Sequence, residues 1–166
     1  QSNLTLNQVR INGNKATVGG GVVNATGGTL TIVGSTLDNN QSVKAGDGSE
    51  GDGGGVGVYT GTVALVNSTL SGNTAAGSGG GLVFLDGTLA LNNITIFGNT
   101  ADVGGGVSVG TTDNVSIVHS IIAGNTGTSA GPDCSGKLTS QGTNWVQSTT
   151  NCNVVDADGI TNTTST

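Results

Sequence analysis

One short phrase occurs five times along the chain, and each copy ends in an asparagine that follows a glycine or another asparagine. The copies are VRINGN, STLDNN, STLSGN, ITIFGN and SIIAGN, and their last residues are Asn14, Asn40, Asn73, Asn99 and Asn125. Successive asparagines lie 26, 33, 26 and 26 residues apart. This repetition predicts a structure of stacked units of about 26 residues, with one insertion in the second unit.

Alignment on these asparagines brings apolar residues into register. About ten residues upstream, apolar and polar residues alternate, as at Leu30 and Ile32. A period of two predicts a strand with one buried face. A second short strand leads into each asparagine, and a third follows a glycine triplet, such as residues 79–81 before Leu82. Each unit therefore reads as three strands and three corners.

These features predict an all-β, right-handed parallel β-helix of about five rungs with three strands per rung. Equivalent strands of neighbouring rungs would pair at about 4.8 Å. Stacked Val, Leu and Ile would fill the interior, since the 166 residues include only one Trp, one Tyr and two Phe. We predict a single domain in which residues 1–130 form the rungs. Residues 131–166 would continue or cap it.

The five repeated asparagines are interpreted as a structural ladder. Asparagine tolerates the left-handed backbone region that a tight corner needs. Its amide can also hydrogen-bond to stacked copies along the axis. A ladder of this kind supports the fold and predicts no ligand.

Cys134 and Cys152 are the only cysteines, and they flank a polar loop of 17 residues. They predict a disulfide that ties down the last segment, because a metal or redox site lacks the C-x-x-C spacing. The chain begins at Gln1, contains no methionine and has no apolar run long enough to cross a membrane. We therefore expect a processed precursor or a piece of a longer protein, located outside the cell or on its surface.

Three segments resemble a known family. They are NSTLSGNTAAGSGGGL (67–82), NITIFGNTADVGGGV (93–107) and HSIIAGNTGTSAGPDCSG (119–136). They are similar to bacterial parallel β-helix repeat surface proteins of the polymorphic outer membrane protein and choice-of-anchor Q types. The resemblance covers nearly the whole chain. It implies a secreted or surface-anchored protein, often an adhesin, with no shared catalytic residues.

The charge pattern limits the partners. The formal net charge is −6 and only four residues are Lys or Arg, which argues against nucleic acid and membrane surfaces. Asp47, Glu50 and Asp52 lie on a glycine-rich insertion and are candidate ligands for a structural Ca²⁺; no other cofactor is expected. Asn67 and Asn93 begin Asn-x-Ser/Thr triplets and are candidate glycosylation sites.

We predict that the protein is not an enzyme. Polysaccharide lyases and glycoside hydrolases on this scaffold need acidic groups that converge. Here the acids fall in different registers, at Asp38, Asp86, Asp102 and Asp113. His119, the only histidine, is interpreted as a surface residue. A carbohydrate-binding or carbohydrate-active β-helix remains the alternative.

Ice binding is a second alternative. Outward threonines recur in two columns, which are Thr29, Thr62 and Thr88, and Thr36, Thr69 and Thr95. The columns lie on different strands and change to other residues at their ends, whereas an ice-binding face needs an unbroken array. Threonine at outward strand positions is also common in ordinary sheets.

The preferred prediction concerns the two ends of the coil. Each terminal rung of a β-helix exposes unpaired backbone groups, which invite another chain to add a strand. A first rung near Asn3 and a Thr-rich tail from 153 to 166 suggest that both ends are open, the alternative being that an upstream segment of the precursor caps the first rung. We therefore predict a structural or adhesive protein that associates head to tail into an extracellular filament. A glycan or a neighbouring cell surface would be its other partner.

Overall fold

The computed structural model describes residues 2–46, 48, 50–110 and 115–156, and all regular structure in that part of the chain is β-strand. The strands pair in parallel and stack into a β-solenoid of about five turns. The prediction of an all-β parallel β-helix with rungs of about 26 residues is confirmed.

The strands fall into columns, one strand per rung. The first column is β1 (Asn3–Asn7), β5 (Thr29–Val33), β9 (Thr62–Val66), β13 (Thr88–Asn92) and β17 (Val115–Val118). The second is β2 (Arg10–Asn12), β6 (Thr36–Asp38), β10 (Thr69–Ser71), β14 (Thr95–Phe97), β18 (Ile121–Ala123) and β21 (Trp145–Val146). The third is β3 (Lys15–Ala16), β7 (Gln41–Ser42), β11 (Thr74–Ala75), β15 (Thr100–Val103) and β19 (Thr126–Ala130). The fourth is β4 (Val22–Asn24), β8 (Val56–Val58), β12 (Leu82–Phe84) and β16 (Val107–Val109).

Three sheets result. The long strand β20 (Cys134–Ser140) pairs with both β16 and β17, so the first and fourth columns form one 11-stranded sheet, here called sheet 1. The last strand, β22 (Cys152–Asp156), pairs with β20 at the edge of this sheet. The second column forms the six-stranded sheet 2, and the third forms the five-stranded sheet 3. Sheet 3 consists mostly of two-residue strands just after each repeated asparagine, which the sequence analysis did not single out.

Like residues stack in the core. Leu30 pairs with Leu4 on one side and Val63 on the other, and Leu89 pairs with Val63 and Val115. Leu30, Val63 and Leu89 are 3%, 1% and 0% exposed. The predicted pile of apolar side chains is thus present, and each added rung buries another set of Val, Leu and Ile side chains.

The insertion in the second rung leaves this stacking intact. It lies between β7 and β8, where Val43 N still donates to Ala16 O of the first rung. After the insertion, the pairing with the third rung begins again at Gly51, whose carbonyl oxygen accepts from Gly77 N. The strands on either side of the insertion therefore keep their register with the third rung.

Glycine is required where the backbones of neighbouring rungs touch. A Cβ on Gly80 would overlap the carbonyl oxygens of Gly105 and Thr100, and the equivalent Gly54 faces the carbonyl of Gly80 in the same way. The triplets thus permit a close approach between rungs at the corner before the fourth strand.

We expect Gly80→Ala to lower the free energy of unfolding by roughly 3 kcal/mol, because its methyl group meets fixed backbone atoms. Urea unfolding followed by circular dichroism measures this change. Gly46→Ala is the matched control, since a Cβ at Gly46 meets nothing within 4 Å and should change stability by less than about 0.5 kcal/mol. Equal stability of the two variants would contradict close packing at Gly80.

Candidate functional site

The repeated asparagines form a continuous hydrogen-bonded ladder. The amide Nδ2 of each donates to Oδ1 of the asparagine one rung later, at 3.0, 3.0, 2.9 and 3.0 Å from Asn14 to Asn125. Each Oδ1 also accepts from the backbone N–H of the preceding asparagine, as for Asn40 N and Asn73 Oδ1 at 3.0 Å. Asn73 and Asn99 are fully buried. Their polar groups are satisfied only because the neighbouring rungs repeat the same residue.

The expectation that the ladder asparagines themselves adopt the left-handed backbone region was wrong. The left-handed residue is the one before each ladder asparagine, and none of the five ladder asparagines has a positive φ. The left-handed residues are Gly13, Asn39, Gly72, Gly98 and Gly124, with φ between 54° and 68°. This preceding residue makes the corner, and the asparagine side chain is thereby directed inward to its neighbours in the ladder.

Asp133 terminates the ladder. Its Oδ1 accepts from Asn125 N at 3.0 Å and from Asn125 Nδ2 at 2.9 Å, so it stands where the next asparagine would be. Its Oδ2 accepts from Ser148 N at 2.8 Å. Asp133 is 2% exposed. A carboxylate fits this position because both of its oxygens face N–H donors, whereas an asparagine would present an amide to one of them.

A second polar column lies at the corner after the first strand. Ser35 Oγ accepts from Val9 N at 3.1 Å, and Ser68 Oγ accepts from Ser35 N at 3.0 Å. Ile94 interrupts the column in the fourth rung, and its N donates to Ser120 Oγ at 3.1 Å. This column could have been predicted from the sequence, because three copies of the repeated phrase begin with serine.

The apolar core is open at the first rung. Leu4 is 49% exposed, whereas the stacked Leu30 is 3% exposed. Leu6, Ile11 and Val22 of the same rung are only partly buried. In the described part of the chain, β1 to β4 each pair with the second rung alone. The first rung therefore presents both apolar side chains and a free backbone edge.

Arg10 links the first rung to the second through an ion pair with Asp38. Its Nε and Nη2 donate to Oδ1 and Oδ2 of Asp38 at 2.9 and 2.7 Å. The hydrogen bond from Arg10 is the main cause that lowers the pKa of Asp38, and Asn12 Nδ2 adds a further bond. A carboxyl whose pKa is lowered by folding stabilises the folded state above its unfolded pKa. That contribution is lost as acid protonates Asp38.

The last segment combines a disulfide with edge strands. The predicted bond between Cys134 and Cys152 is confirmed, and it links β20 to β22 with the Cα atoms 5.3 Å apart. Residues 131–156 thus continue the stack through β20, β21 and β22 and also hold the residue that ends the ladder. Within the described residues, β22, β21 and β19 form the far edges of sheets 1, 2 and 3.

The outer face of sheet 2 becomes apolar towards this end. Its exposed side chains include Phe97 at 56%, Ile121 at 42% and Trp145 at 44%. A shallow depression of about 300 Å³ lies beside them. It is lined by His119, Ser120, Ile121, Thr143, Asn144 and Trp145. No other face combines exposed aromatic side chains with a depression among the described residues.

Two of the three candidate calcium ligands, Glu50 and Asp52, lie in the described structure, and each has a partner within the protein. Glu50 Oε2 pairs with Lys44 Nζ at 2.9 Å, and Asp52 Oδ1 accepts from Ser78 N at 2.6 Å. Asp47 lies outside the described residues. Groups of three or more His, Cys, Asp or Glu side chains able to hold a metal are absent from residues 2–46, 48, 50–110 and 115–156. Calcium binding stays a prediction.

The two candidate glycosylation sites share the left-handed corner after the first strand. Asn67 and Asn93 have φ of 50° and 55° and are exposed, and Asn93 Nδ2 donates to Asn67 Oδ1 at 2.7 Å. His119 occupies the same corner one rung later, also exposed, with φ of 50°. Glycosylation stays a prediction.

The outward threonine columns have the register that the repeat implies. Thr29, Thr62 and Thr88 are paired and exposed, and Thr36, Thr69 and Thr95 are paired and half-buried. The first column begins with Asn3, and the second begins with Arg10 and continues into Ile121. Neither column is a continuous row of hydroxyl groups.

The acidic residues considered for catalysis lie apart in the fold. Asp38 is in sheet 2, Asp102 is in sheet 3, and Asp86 is in the turn between β12 and β13. Hydrogen bonds from Ser129 and Thr128 lower the pKa of Asp102. Asp113 lies outside the described residues.

Comparison with protein-family models, with curated proteins and with solved structures found no match to this chain. Helices long and apolar enough to cross a membrane are absent from the described part of the chain. A disulfide is compatible with a location outside the cytoplasm.

We expect Asn73→Ala to lower the free energy of unfolding by roughly 3–5 kcal/mol. It leaves Asn40 N–H without an acceptor in a buried site, and it removes one of the two acceptors of Asn40 Nδ2 and a donor to the Leu37 carbonyl. Asn14→Ala at the exposed end of the ladder is the control, with a loss of roughly 1 kcal/mol or less. Urea unfolding of both variants tests the ladder, and similar losses would contradict its energetic role.

We expect Asp133→Ala to lower the free energy of unfolding by roughly 3 kcal/mol, because the backbone N–H groups of Asn125 and Ser148 lose their acceptor and Asn125 Nδ2 loses one of its three. Asp133→Asn should cost less, since its Oδ1 still serves Asn125, but its amide would face Ser148 N–H. The ranking is measured by the urea midpoint. An asparagine variant as stable as the original chain would show that the second carboxylate oxygen is not needed.

Proposed function

We propose that this chain is a non-catalytic structural or adhesive protein of the bacterial cell exterior, and that its copies stack head to tail into a filament. The observation that carries the proposal is the open first rung. Leu4 is 49% exposed there, although the same position is buried in the next rung. A second copy on this surface would complete the burial that every inner rung achieves.

The free backbone edge supports the same proposal. Ser2 O accepts from Thr29 N, and Gln8 N donates to Val33 O. Parallel pairing uses alternate residues of a strand, so the even-numbered residues of β1 bond to β5. The N–H and C=O of Thr5 therefore point to the free edge, where they can pair with an added strand.

The two ends of the described solenoid have matching elements. β1 and β22 are edge strands of sheet 1 and each has five residues. β2 and β21 lie at opposite edges of sheet 2, and β3 and β19 lie at opposite edges of sheet 3. Stacking the first rung of one copy on the last strands of another would continue all three sheets in parallel. Such a contact does not close on itself, so it generates a filament.

The proposed location draws on two further observations. The disulfide is typical of proteins outside the cytoplasm. The resemblance to bacterial β-helix surface proteins favours a secreted or surface-attached adhesin. The proposal of a non-catalytic role is supported by the separation of Asp38, Asp86 and Asp102 on different parts of the solenoid.

We expect the 16.0 kDa chain to form elongated particles as its concentration rises to the millimolar range. Thr5→Pro should prevent this, because proline removes the N–H that faces the free edge and places a ring there. Negative-stain electron microscopy and sedimentation velocity measure the particle length and mass.

Thr5→Ala is the matched control, since it removes the same exposed side chain and keeps the backbone N–H. It should assemble like the unchanged chain. Particles of 16.0 kDa alone at every concentration would rule out the filament. Full assembly of Thr5→Pro would show that the contact does not use the edge of β1.

A further inference from the structure

The outer face of sheet 2 changes from polar to apolar side chains along the solenoid axis. One outward column runs through paired residues of six successive rungs: Arg10, Thr36, Thr69, Thr95, Ile121 and Trp145. The first four are polar and the last two are apolar. In the neighbouring column, Phe97 follows Asn12, Asp38 and Ser71. The apolar residues are therefore departures from a face that is otherwise polar.

Phe97, Ile121 and Trp145 form what we call the apolar patch. Phe97 is on the fourth rung, Ile121 on the fifth and Trp145 on the sixth, and they are 56%, 42% and 44% exposed. The ring of Phe97 extends over Gly124 of the next rung, where a Cβ would meet ring atoms. The patch thus continues from one rung to the next along the outside of the sheet.

The size of the patch limits what it can bind. With side-chain areas of 150–250 Å², these exposed fractions sum to on the order of 300 Å². A stable protein interface buries about 800 Å² on each partner. The patch is therefore too small to hold a second protein stably, although exposed apolar patches of its size are often functional.

The charge of the surface also limits which class of ligand the apolar patch can bind. The three strands that carry the patch, with sequences TIF, IIA and WV, contain no charged residue. The depression beside Trp145 is bordered by the exposed polar side chains of His119 and Thr143, whereas the amide of Asn144 is buried and bonded within the fold. The surface therefore suits an uncharged ligand that has an apolar face and polar edges.

We propose that the apolar patch binds a neutral polysaccharide chain. The proposal deepens the adhesive role and rests on that proposed function. A pyranose ring has this combination of surfaces, since its C–H groups can lie on an aromatic ring while its hydroxyls reach polar side chains. Phe97 and Trp145 are two rungs apart, about 9.6 Å along the axis, and two residues apart along the strand direction, about 6.6 Å. An oligosaccharide of three or more sugar rings can span that separation, so the polysaccharide would cross the strands of sheet 2 obliquely.

Trp145 is the only tryptophan, so its fluorescence reports on the patch directly. The probes are neutral hexasaccharides of cellulose, chitin, xylan and β-1,3-glucan, together with the insoluble polymers in pull-down assays. The experiment uses the Thr5→Pro variant, so that filament formation does not affect the result. We expect a saturable shift of the emission with at least one neutral polymer, and no shift with the anionic polymers alginate and polygalacturonate.

Phe97→Ala should weaken binding roughly tenfold. Ile121→Ser is a second patch variant on another rung, and it should also weaken binding. Thr69→Ala, in the same outward column as Ile121 on the third rung, is the matched control and should bind normally. Unchanged thermal unfolding shows that each variant remains folded.

Three results would overturn the proposal. One is the absence of binding to all of the neutral polymers. Another is equal binding by Phe97→Ala, Ile121→Ser and Thr69→Ala. The third is loss of filaments in the Trp145→Ala variant of the otherwise unchanged chain without any loss of polysaccharide pull-down, which would assign the patch to contacts between copies. None of these results depends on whether Thr5→Pro prevents stacking, so the two proposals fail separately.

Discussion

A buried amide in this solenoid is tolerated only if the rungs above and below place matching groups next to it. Asn73 illustrates the constraint, since its Oδ1 and Nδ2 are satisfied by Asn40, Asn99 and the carbonyl of Leu37. The ladder therefore requires every rung to follow the same path. The long second repeat respects this requirement, because the bond from Asn40 to Asn73 is 3.0 Å, like the bonds between repeats of ordinary length. The insertion therefore leaves the ladder between Asn40 and Asn73 unbroken.

The same constraint creates a problem at the ends, where a repeating polar group loses one neighbour. At the last rungs the problem is solved within the chain, since Asp133 supplies an acceptor to Asn125 and another to Ser148 N. The disulfide between Cys134 and Cys152 holds the segment that carries this residue. At the first rung, Asn14 is exposed to solvent and Leu4 lacks the cover that Leu30 has. The two ends therefore differ, and a filament built from them would be polar.

The repeat made most of the fold predictable. Alignment on the asparagines placed Leu30, Val63 and Leu89 in one column, because equal spacing along a solenoid means contact in space. The strands of sheet 3 were missed, since two residues such as Lys15 and Ala16 are too few to show a period. Asp133 was missed for a different reason: it replaces the last glycine of a triplet in one rung only, since Cys134 pairs with Val107, and the spacing of the asparagines does not mark that position. The apolar patch could have been found as a set of exceptions, at the positions where Phe or Ile replaces a polar residue of the repeat.

Residues that follow the repeat and residues that depart from it carry different information. Residues that repeat are constrained by the rung next to them, so they describe the scaffold and say little about a ligand. Phe97, Ile121 and Trp145 do not repeat the polar residue of the earlier rungs and remain exposed at a cost in apolar hydration. The proposed filament would strengthen binding at the proposed polysaccharide site. A chain of five to six rungs would repeat its patch roughly every 25–30 Å along a filament. Many weak contacts in a row on one polysaccharide would then bind far more tightly than one patch alone, because each contact raises the effective concentration of the next.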